Sequence, residues 1–359
     1  MELYKIQGRG VAENPPNRFE TLEFLPDDEA REPDDPGPRT RFFRDTTRTI
    51  IARNNSPDVG FDVSINPYRG CEHGCVYCYA RPTHEWLGFS AGLDFETKIL
   101  VKEDAPELLR RELSSPRWKP TTLALSGVTD PYQPAERRLR LTRRCLEVLA
   151  EFRNPVAIIT KNHLVTRDLD LLGELARHRA AMVNLSITSL DAELQRVMEP
   201  RTSTPARRLD AIRQLAEAGI PVGVMVAPVI PGLTDHELPA ILQAAADAGA
   251  CTAGFVPLRL PLGVKDLFEH WLETHFPERK EKVLGRVRGM RGGKLNDPNF
   301  RSRMRGEGAY AEQIRALFHV ARRRAGLSQD WPGLSTDSFR QPDATGQLGL
   351  FDGGGDDSR

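Results

Sequence analysis

Three cysteines, Cys71, Cys75 and Cys78, lie close together in the order Cys-x3-Cys-x2-Cys. An iron–sulfur cube needs a ligand on each of four irons, and that ligand is usually a thiolate. Three closely spaced thiolates hold three irons and leave the fourth open. An open iron can bind a small molecule through an amine and a carboxylate. The spacing therefore predicts a [4Fe–4S] cluster with one free coordination site.

A structural zinc site is the alternative use of these cysteines, with His73 or His84 as the fourth ligand that zinc requires. Structural zinc motifs usually contain two separated ligand pairs, and this sequence offers no second pair. A disulfide framework is not expected, because 5 cysteines in a chain of 359 residues without a signal peptide are typical of a reducing compartment. The cluster is the favoured interpretation.

The composition is that of a globular protein, with 39% hydrophobic and 28% charged residues. A chain of 359 residues can bury a barrel-sized core and still carry appendages. The sequence contains no run of about 18 apolar residues, so no membrane span is expected. The first residues lack a basic segment followed by an apolar one, so no secretion signal is expected. Together these features predict a cytoplasmic protein.

Short β-branched segments alternate with amphipathic segments from about residue 60. The predicted strands are Asp62–Asn66, Thr121–Ser126, Val156–Thr160, Val183–Thr188, Pro221–Pro228 and Thr252–Pro257. The predicted helices between them are Ala105–Leu113, Ala135–Phe152, Asp168–His178, Pro205–Ala218 and His236–Ala248. This alternation predicts an α/β fold with parallel strands, either a doubly wound sheet or an incomplete barrel. The cysteines follow the first strand, at the edge where such folds build their sites.

Four regions follow from composition. Residues 1–58 are an extended segment interrupted by prolines, and residues 59–260 are the α/β core. Residues 261–327 form a basic helical region, with helices near Lys265–His275 and Ala309–Ala325. Residues 328–359 are rich in Gly, Asp and Ser and predict a disordered tail.

Two longer motifs resemble a known family. Residues 64–80 read Ser-Ile-Asn-Pro-Tyr-Arg-Gly-Cys-Glu-His-Gly-Cys-Val-Tyr-Cys-Tyr-Ala, and residues 126–134 read Ser-Gly-Val-Thr-Asp-Pro-Tyr-Gln-Pro. The cysteine spacing resembles that of radical S-adenosylmethionine (SAM) enzymes, and the motifs resemble their spore photoproduct lyase-related, DNA-repair photolyase-like branch. The resemblance covers about residues 60 to 260. It implies a partial (β/α)6 TIM-type barrel, a [4Fe–4S] cluster, SAM as cofactor and an electron donor.

The resemblance also implies roles for individual residues. Cys71, Cys75 and Cys78 bind the cluster. The groups that contact SAM lie near the ends of successive strands and near the cluster: Tyr77, Ser126, Gly127, Thr129, Asp130, Lys161, Ser186 and Val226. In this scheme Lys161 and Ser186 hold the SAM carboxylate, and the backbone near Val226 contacts the adenine. Asp130 either orients the ribose or caps its loop.

Tyr77 and Tyr79 flank the third cysteine, as tyrosines do in the lyase, where a tyrosine relays a hydrogen atom. They are candidate catalytic residues, with packing beside the cluster as the alternative. The lyase carries a hydrogen-donor cysteine just past the second strand, and this chain has no cysteine there. Cys145 falls on the apolar face of a predicted helix, and Cys251 starts the last strand, away from the site.

Two segments predict partners. Residues Arg286 to Arg324 contain eleven Lys and Arg against three acids, which indicates contact with DNA or RNA. Near the end of the chain, Gln347 to Phe351 read Gln-Leu-Gly-Leu-Phe in a polar surrounding. This pentapeptide resembles the peptide by which bacterial polymerases and repair proteins bind the replication sliding clamp.

The predicted function is a radical SAM enzyme that abstracts hydrogen from a large substrate, with nucleic acid as the leading substrate class in DNA repair or modification. A lyase-like reaction is one possibility within that class. One alternative keeps this chemistry and replaces the substrate with a protein or small molecule. The other is a non-catalytic adaptor with a structural metal site, recruited to the clamp by its tail.

Overall fold

The computed structural model describes residues 6–19 and 38–342. Six parallel strands make up most of one sheet: β3 (Val63–Ile65), β6 (Leu123–Leu125), β7 (Val156–Thr160), β8 (Ala181–Ser186), β9 (Val222–Val229) and β10 (Thr252–Pro257). They lie side by side in chain order. In a doubly wound sheet the order would reverse. Strand β2 (Ile51–Arg53) pairs antiparallel with β3, and β2 and β10 are the two edges of the sheet. The predicted partial barrel is confirmed.

Helices follow the parallel strands. After β3 come α1 (Leu93–Thr97) and α2 (Ala105–Leu113), and after β6 come α3 (Glu136–Leu139) and α4 (Leu141–Phe152). Strand β7 is followed by α5 (Leu169–Arg177), β8 by α6 (Ala192–Met198) and α7 (Pro205–Glu217), and β9 by α8 (Leu238–Asp247). After β10 come α9 (Val264–His275), α10 (Pro277–Gly289), α11 (Ser302–Arg305) and α12 (Gly308–Arg324).

The main core lies between the sheet and the helices. Each of five helices contributes at least one side chain with no exposed surface, namely Leu109, Leu146, Leu172, Ile212 and Leu242. All six residues of β8 are buried, as expected for a central strand of a parallel sheet covered on both faces. The helices therefore fix the strands, and the strand ends fix the loops that follow them.

A second, three-stranded sheet lies beside the first. It contains β1 (Arg41–Arg44), β4 (Tyr68–Arg69) and β5 (Lys98–Val101), with β5 in the centre. The sequence predicted that the cysteines follow β3 directly, but β4 lies between them. The cysteine segment is therefore anchored to both sheets.

The prediction of a single helix over Ala135–Phe152 is wrong. The structure has two helices there, α3 and α4, separated at Arg140, whose backbone is left-handed with φ of 53°. The buried carboxylate of Glu136 accepts hydrogen bonds from the backbone N–H groups of Thr142 at 3.0 Å and Arg143 at 3.3 Å. Glu136 thus caps the first turn of α4, which favours a new helix start over continuation.

Two further differences concern the last hundred residues. Helix α10 was not predicted, because its apolar stripe is narrow and buries only Val283, Leu284 and Val287.

The predicted tail boundary at residue 328 is also wrong, since residues 328–342 pack on the core. The ring of Phe339 lies 6.3 Å from that of Phe152, and Arg340 N–H donates to the Phe152 carbonyl at 2.9 Å.

Within the described residues, none of the helices combines the length and the apolar character that a membrane crossing requires. The segment Gln347 to Phe351 lies outside the described residues.

Candidate active site

Residues 70–79 form a cysteine loop at the carboxyl edge of the sheet, where the parallel strands end. Cys71 and Cys75 are buried, Cys78 is half-buried, and all three are free thiols. The loop turns sharply at Gly74, whose φ is +67°. A Cβ at this position would lie 2.7 Å from an oxygen of Glu96, so the loop requires glycine there.

A buried arginine holds the loop in place. The guanidinium of Arg81 donates to the Cys75 carbonyl at 3.0 and 3.1 Å and pairs with Glu96 at 2.5 Å. Neither Arg81 nor Glu96 has exposed surface. The second carboxylate oxygen of Glu96 accepts from Gly10 N–H at 3.1 Å, so the N-terminal segment also packs here. One ion pair thus connects the Cys75 carbonyl of the loop with the N-terminal segment.

The second sequence motif, residues 126–134, is hydrogen-bonded to the cysteine loop. Gln133, which has no exposed surface, accepts from Glu72 N–H at 2.9 Å and donates to the Gly70 carbonyl at 3.2 Å. Its side chain therefore ties the segment after β6 to the start of the cysteine loop.

The histidines considered as zinc ligands have other contacts. His73 lies 3.3 Å from Asp130 and 3.1 Å from the amide of Asn162, through its two ring nitrogens. The Nε2 atom of His84 lies 2.9 Å from the Lys98 carbonyl. Within residues 6–19 and 38–342, no three His, Cys, Asp or Glu side chains converge on a point that a single metal ion could occupy.

The three cysteines fit a cube better than a single ion. Each thiolate of a cluster binds a different iron, so the thiolates need not converge on a point. Burial raises the pKa values of the Cys71 and Cys75 thiols, and nearby acidic groups add to the effect. The free thiols are therefore neutral, and binding of a cluster must release their protons. The donor set is three thiols, which leaves one iron of a cube for a ligand other than the protein.

Lys161 and Ser186, predicted to share one role, are in direct contact. The Lys161 ammonium donates to Ser186 Oγ at 2.6 Å and to the Ala227 carbonyl at 3.0 Å. It also lies 5.8 Å from the centre of the Tyr77 ring, which belongs to the cysteine loop. The ends of β7, β8 and β9 are thus joined beside the cysteines by one ammonium group. This arrangement can bind a carboxylate through a charge-assisted hydrogen bond.

Glu199 is a central residue that the sequence did not predict. Its carboxylate accepts hydrogen bonds from Tyr77, Thr188 and Arg208, and it lies 3.6 Å from the Lys161 ammonium. Burial opposes its ionisation, but the charges of Arg208 and Lys161 and its hydrogen bonds lower the pKa of Glu199 to about 2. The sequence carries no signal for this residue, because its partners lie in four different segments.

The two candidate catalytic tyrosines have different environments. Tyr77 is buried and its hydroxyl donates to Glu199. Tyr79 is 52% exposed, and its hydroxyl donates to the Gly127 carbonyl at 2.5 Å. The guanidinium of Arg259, which follows β10, lies 5.6 Å from the centre of the Tyr79 ring. Tyr79 is therefore the tyrosine at the mouth of the site, with Arg259 beside it.

The loop after β6 is held by Asn66, whose side-chain oxygen accepts from the N–H groups of Val128 and Thr129 at 3.2 and 3.3 Å. Within the same loop, the Ser126 hydroxyl donates to the Thr129 carbonyl at 3.3 Å. The loop is preorganised, and its predicted contacts with SAM, including those of Gly127, stay predictions.

Asp130 and Val226 occupy fixed positions nearby. Asp130 accepts from the Thr160 hydroxyl and from Lys161 N–H, both at 2.7 Å, which are the contacts of a loop cap. Val226 is 1% exposed within β9, where it pairs with Phe255. A contact of Asp130 with ribose or of the Val226 backbone with adenine stays a prediction.

Neither remaining cysteine lies at the site. Cys145 has no exposed surface and belongs to the core on α4. Cys251 is exposed, and its thiol donates to the carbonyl of Val222, the first residue of β9. It therefore lies at the amino edge of the sheet, opposite to the cysteine loop.

Comparison with known proteins agrees with this geometry. The family model of the radical SAM superfamily matches residues 65–245. An uncharacterized protein of Mycobacterium tuberculosis is 40% identical over 254 residues, which cover 70% of this chain and 74% of the relative. The family match includes the cysteine loop, Lys161 and Ser186.

Solved structures match over more of the chain. Spore photoproduct lyase complexed with dinucleoside spore photoproduct has a TM-score of 0.54 at 19% identity, and covers 79% of this chain and 78% of the lyase. A mutant of that lyase with bound AdoMet and dinucleoside spore photoproduct has a TM-score of 0.52 at 19% identity, and covers 79% of this chain and 77% of the lyase. At this identity the likeness shows a shared fold.

Proposed function

The chain belongs to the radical SAM superfamily, and on this premise we propose that it abstracts a hydrogen atom from a nucleic-acid substrate. The cofactors of the superfamily are a [4Fe–4S] cluster and SAM. When bound, they supply a 5′-deoxyadenosyl radical by reductive cleavage of SAM. The proposal includes an external electron donor. It also includes a cytosolic location, where an oxygen-sensitive cluster survives.

The residues of this chain have distinct tasks in that scheme. Cys71, Cys75 and Cys78 hold the cluster, and the Arg81–Glu96 pair fixes the loop that carries them. Lys161 and Ser186 would hold the carboxylate of SAM, and the Lys161 ammonium also lies 3.6 Å from the Glu199 carboxylate. Glu199, Thr188 and Arg208 keep the Tyr77 ring in place next to Lys161.

One observation carries the proposal. Lys161 and Tyr77 come from distant parts of the sequence, and the fold places the ammonium of one 5.8 Å from the ring of the other. A thiolate loop and a carboxylate-binding lysine are therefore neighbours at one edge of the sheet. A cofactor that binds an open iron through its amino-acid part needs both groups side by side.

The substrate class rests on three supports. Spore photoproduct lyase, whose fold this chain shares, was solved with a dinucleoside photoproduct. Strands β10 and β2 are the two edges of the sheet and do not pair with each other, as in the incomplete barrel that the family resemblance associates with large substrates. At the mouth, the Arg259 guanidinium faces the Tyr79 ring, and its buried Nε has no hydrogen-bond partner within the described residues. A cation beside an exposed aromatic ring suits a phosphate next to a base.

Cleavage of a thymine dimer is not part of the proposal. That reaction uses a donor cysteine after the second strand, and residues 126–134 contain none. Tyr79, which is exposed at the mouth, is the better placed of the two tyrosines to exchange hydrogen with a substrate, whereas Tyr77 is hydrogen-bonded inside the protein.

The test is anaerobic reconstitution of the full chain with iron and sulfide. We expect about four irons per chain and dithionite-dependent release of 5′-deoxyadenosine from SAM. The Cys75→Ala variant should lose both. Colourless protein that binds zinc instead would contradict the proposal and support the adaptor alternative. Transfer of deuterium from labelled oligonucleotides into 5′-deoxyadenosine, compared with labelled peptides, then tests the substrate class.

A further inference from the structure

A groove with a volume of about 530 Å³ lies between α10 and α12, next to the loop that follows β9. We call it the α10–α12 groove. One wall carries the cations Arg279, Lys282 and Arg286, which are spaced as positions i, i+3 and i+7 and therefore lie on one face of α10. With a rise of about 1.5 Å per residue, these cations follow one another at roughly 4.5 and 6 Å along the helix axis.

The innermost cation is held in a fixed orientation. Arg286 lies 4.7 Å from the centre of the Tyr310 ring and 3.7 Å from Asp235. Gly232 makes room for it, because a Cβ there would lie 3.1 Å from the Arg286 guanidinium. Arg279 and Lys282 are exposed. The groove thus contains three cations and one acid, Asp235, which is shared with Tyr310.

The other wall is largely apolar. It is formed by Tyr310, Gln313, Ile314 and Leu317 of α12, of which Ile314 is buried. The Leu317 side chain is 38% exposed and so adds apolar surface to this wall. A line of cations facing an apolar wall matches a ligand with a charged backbone on one side and flat, weakly polar groups on the other.

The groove adjoins the active site. Gly232 and Asp235 follow β9, so they lie at the carboxyl edge of the sheet. The buried face of α10 contributes Leu284 and Val287 to the same apolar cluster as Cys75 and Tyr77. Helix α10 and the cysteine loop therefore contribute to one apolar cluster.

We propose that the α10–α12 groove binds the phosphodiester backbone of a single nucleic-acid strand and leads that strand to the active site. The inference rests on the proposed function and adds the place where the substrate is held. A nucleic-acid strand carries one charge per 3.4 Å or more along its length, similar to the spacing of the cations on α10. An acidic peptide would supply charges but no bases for the apolar wall.

Two other arginines in the basic region have structural roles. Arg291 donates to the carbonyls of Leu258, Ser302 and Arg303. Arg303 pairs with the buried Asp58. The surface proposed to contact nucleic acid is therefore smaller than the segment Arg286 to Arg324. It also includes Arg279 and Lys282, which precede that segment.

Two arginines provide a matched control. Arg323 and Arg324 are exposed at the end of α12. The chain then continues to Ser328, which bridges to Thr252, the first residue of β10. These arginines therefore lie toward the amino edge of the sheet, opposite to the groove.

The experiment measures binding of a fluorescein-labelled 20-nucleotide dT strand to the full chain by anisotropy, at several salt concentrations. The groove variant is Arg279→Gln/Lys282→Gln, and the control is Arg323→Gln/Arg324→Gln, with the same change in net charge. We expect the groove variant to bind the strand at least tenfold more weakly. The negative slope of log K against log salt should become shallower by about 1.4. The control should change less than twofold.

Equal losses in both variants, or no loss in the groove variant, would overturn the proposal. Stronger competition by poly-glutamate than by unlabelled dT would overturn it in favour of an acidic protein partner. Release of 5′-deoxyadenosine without substrate is measured on the same samples. It reports the cluster and SAM chemistry separately, so failure of the groove and failure of the proposed function give different results.

Discussion

Two buried ion pairs support the site, Arg81–Glu96 next to the cysteine loop and Arg208–Glu199 next to the end of β8. None of these four side chains is more than 1% exposed. Buried pairs gain little net stability, because desolvation of both charges offsets their attraction. Their value here is positional, since each pair also hydrogen-bonds a carbonyl next to the site, that of Cys75 or of Ser186.

Removal of one residue of a buried ion pair should therefore lower the free energy of unfolding. We expect Arg81→Met to lower the free energy of unfolding by about 3 to 5 kcal/mol, because Glu96 is left buried and unpaired. The double variant Arg81→Met/Glu96→Gln should lose less. The measurement is urea unfolding of the cluster-free chain. The exposed pair Arg196–Glu193 is the control, and Arg196→Met should cost about 0 to 1 kcal/mol. Similar losses in both single variants would contradict the positional role.

Lys161 gives a second prediction for a single residue. Lys161→Met should weaken SAM binding to the reconstituted chain about tenfold or more, because a hydrogen bond to a charged group is lost. Ser186→Ala should have a smaller effect in the same direction. Lys265→Met, at an exposed position of α9, is the matched control. Equilibrium binding of labelled SAM measures all three, and unchanged affinity in Lys161→Met would remove this lysine from the site.

The elements of this fold differ in how far their backbone is constrained. Gly74 in the cysteine loop has φ of +67° and a neighbouring carboxylate where a Cβ would lie. Gly173 is inside α5, and a Cβ there would meet no atom within 4 Å. The same residue type is thus required by the loop and unfavourable in the helix.

Two identical substitutions should therefore have opposite effects. Gly173→Ala should raise the free energy of unfolding by about 0.5 to 1 kcal/mol, because alanine loses less backbone entropy in a helix. Gly74→Ala should lower it by about 1 to 3 kcal/mol and reduce iron incorporation, because the backbone is strained and Glu96 must move. Urea unfolding and iron analysis check both, and a stabilised Gly74→Ala would contradict the described loop conformation.

At the scale of the whole molecule, a buried histidine contributes to the pH dependence of stability. Burial lowers the pKa of His84 to about 4 from 6.5, so the unfolded chain takes up this proton first as the pH falls. The contribution of His84 is therefore complete above about pH 6.5 and is lost on the way down to about pH 4. Stability should fall by up to about 1.4 kcal/mol per pH unit in this window. His84→Gln should flatten the dependence between pH 7 and 5.5, and an unchanged slope would contradict it.

The end of the chain predicts a partner beyond the enzyme itself. We propose that Gln347 to Phe351, outside the described residues, binds the bacterial sliding clamp. Leu350→Ala/Phe351→Ala should abolish binding of the full chain to immobilised clamp, because these two side chains are the apolar anchor. Asp356→Ala/Asp357→Ala is the control. Binding that survives the first variant would exclude the pentapeptide as the contact.

Much of this molecule is determined by local sequence. The bounds predicted for α2, β7 and β10 are those observed, because each is a short segment with one clear periodicity and clear flanking residues. The cysteine spacing identified the loop, and strand order placed it at the carboxyl edge. Lys161 and Ser186 were identified through the family resemblance, and the structure brings them into contact.

Tertiary structure alone decided the rest. Glu199 and Arg259 have no local signal, because their roles depend on partners that lie far away in the sequence. Gln133 lies in the second motif, but its hydrogen bonds to the cysteine loop depend on the fold. The break at Arg140 depends on a carboxylate that caps the next helix, and the α10–α12 groove depends on two helices that meet only after folding. Periodicity reports which face of a segment is buried, but not which charged side chain will face another across the finished core.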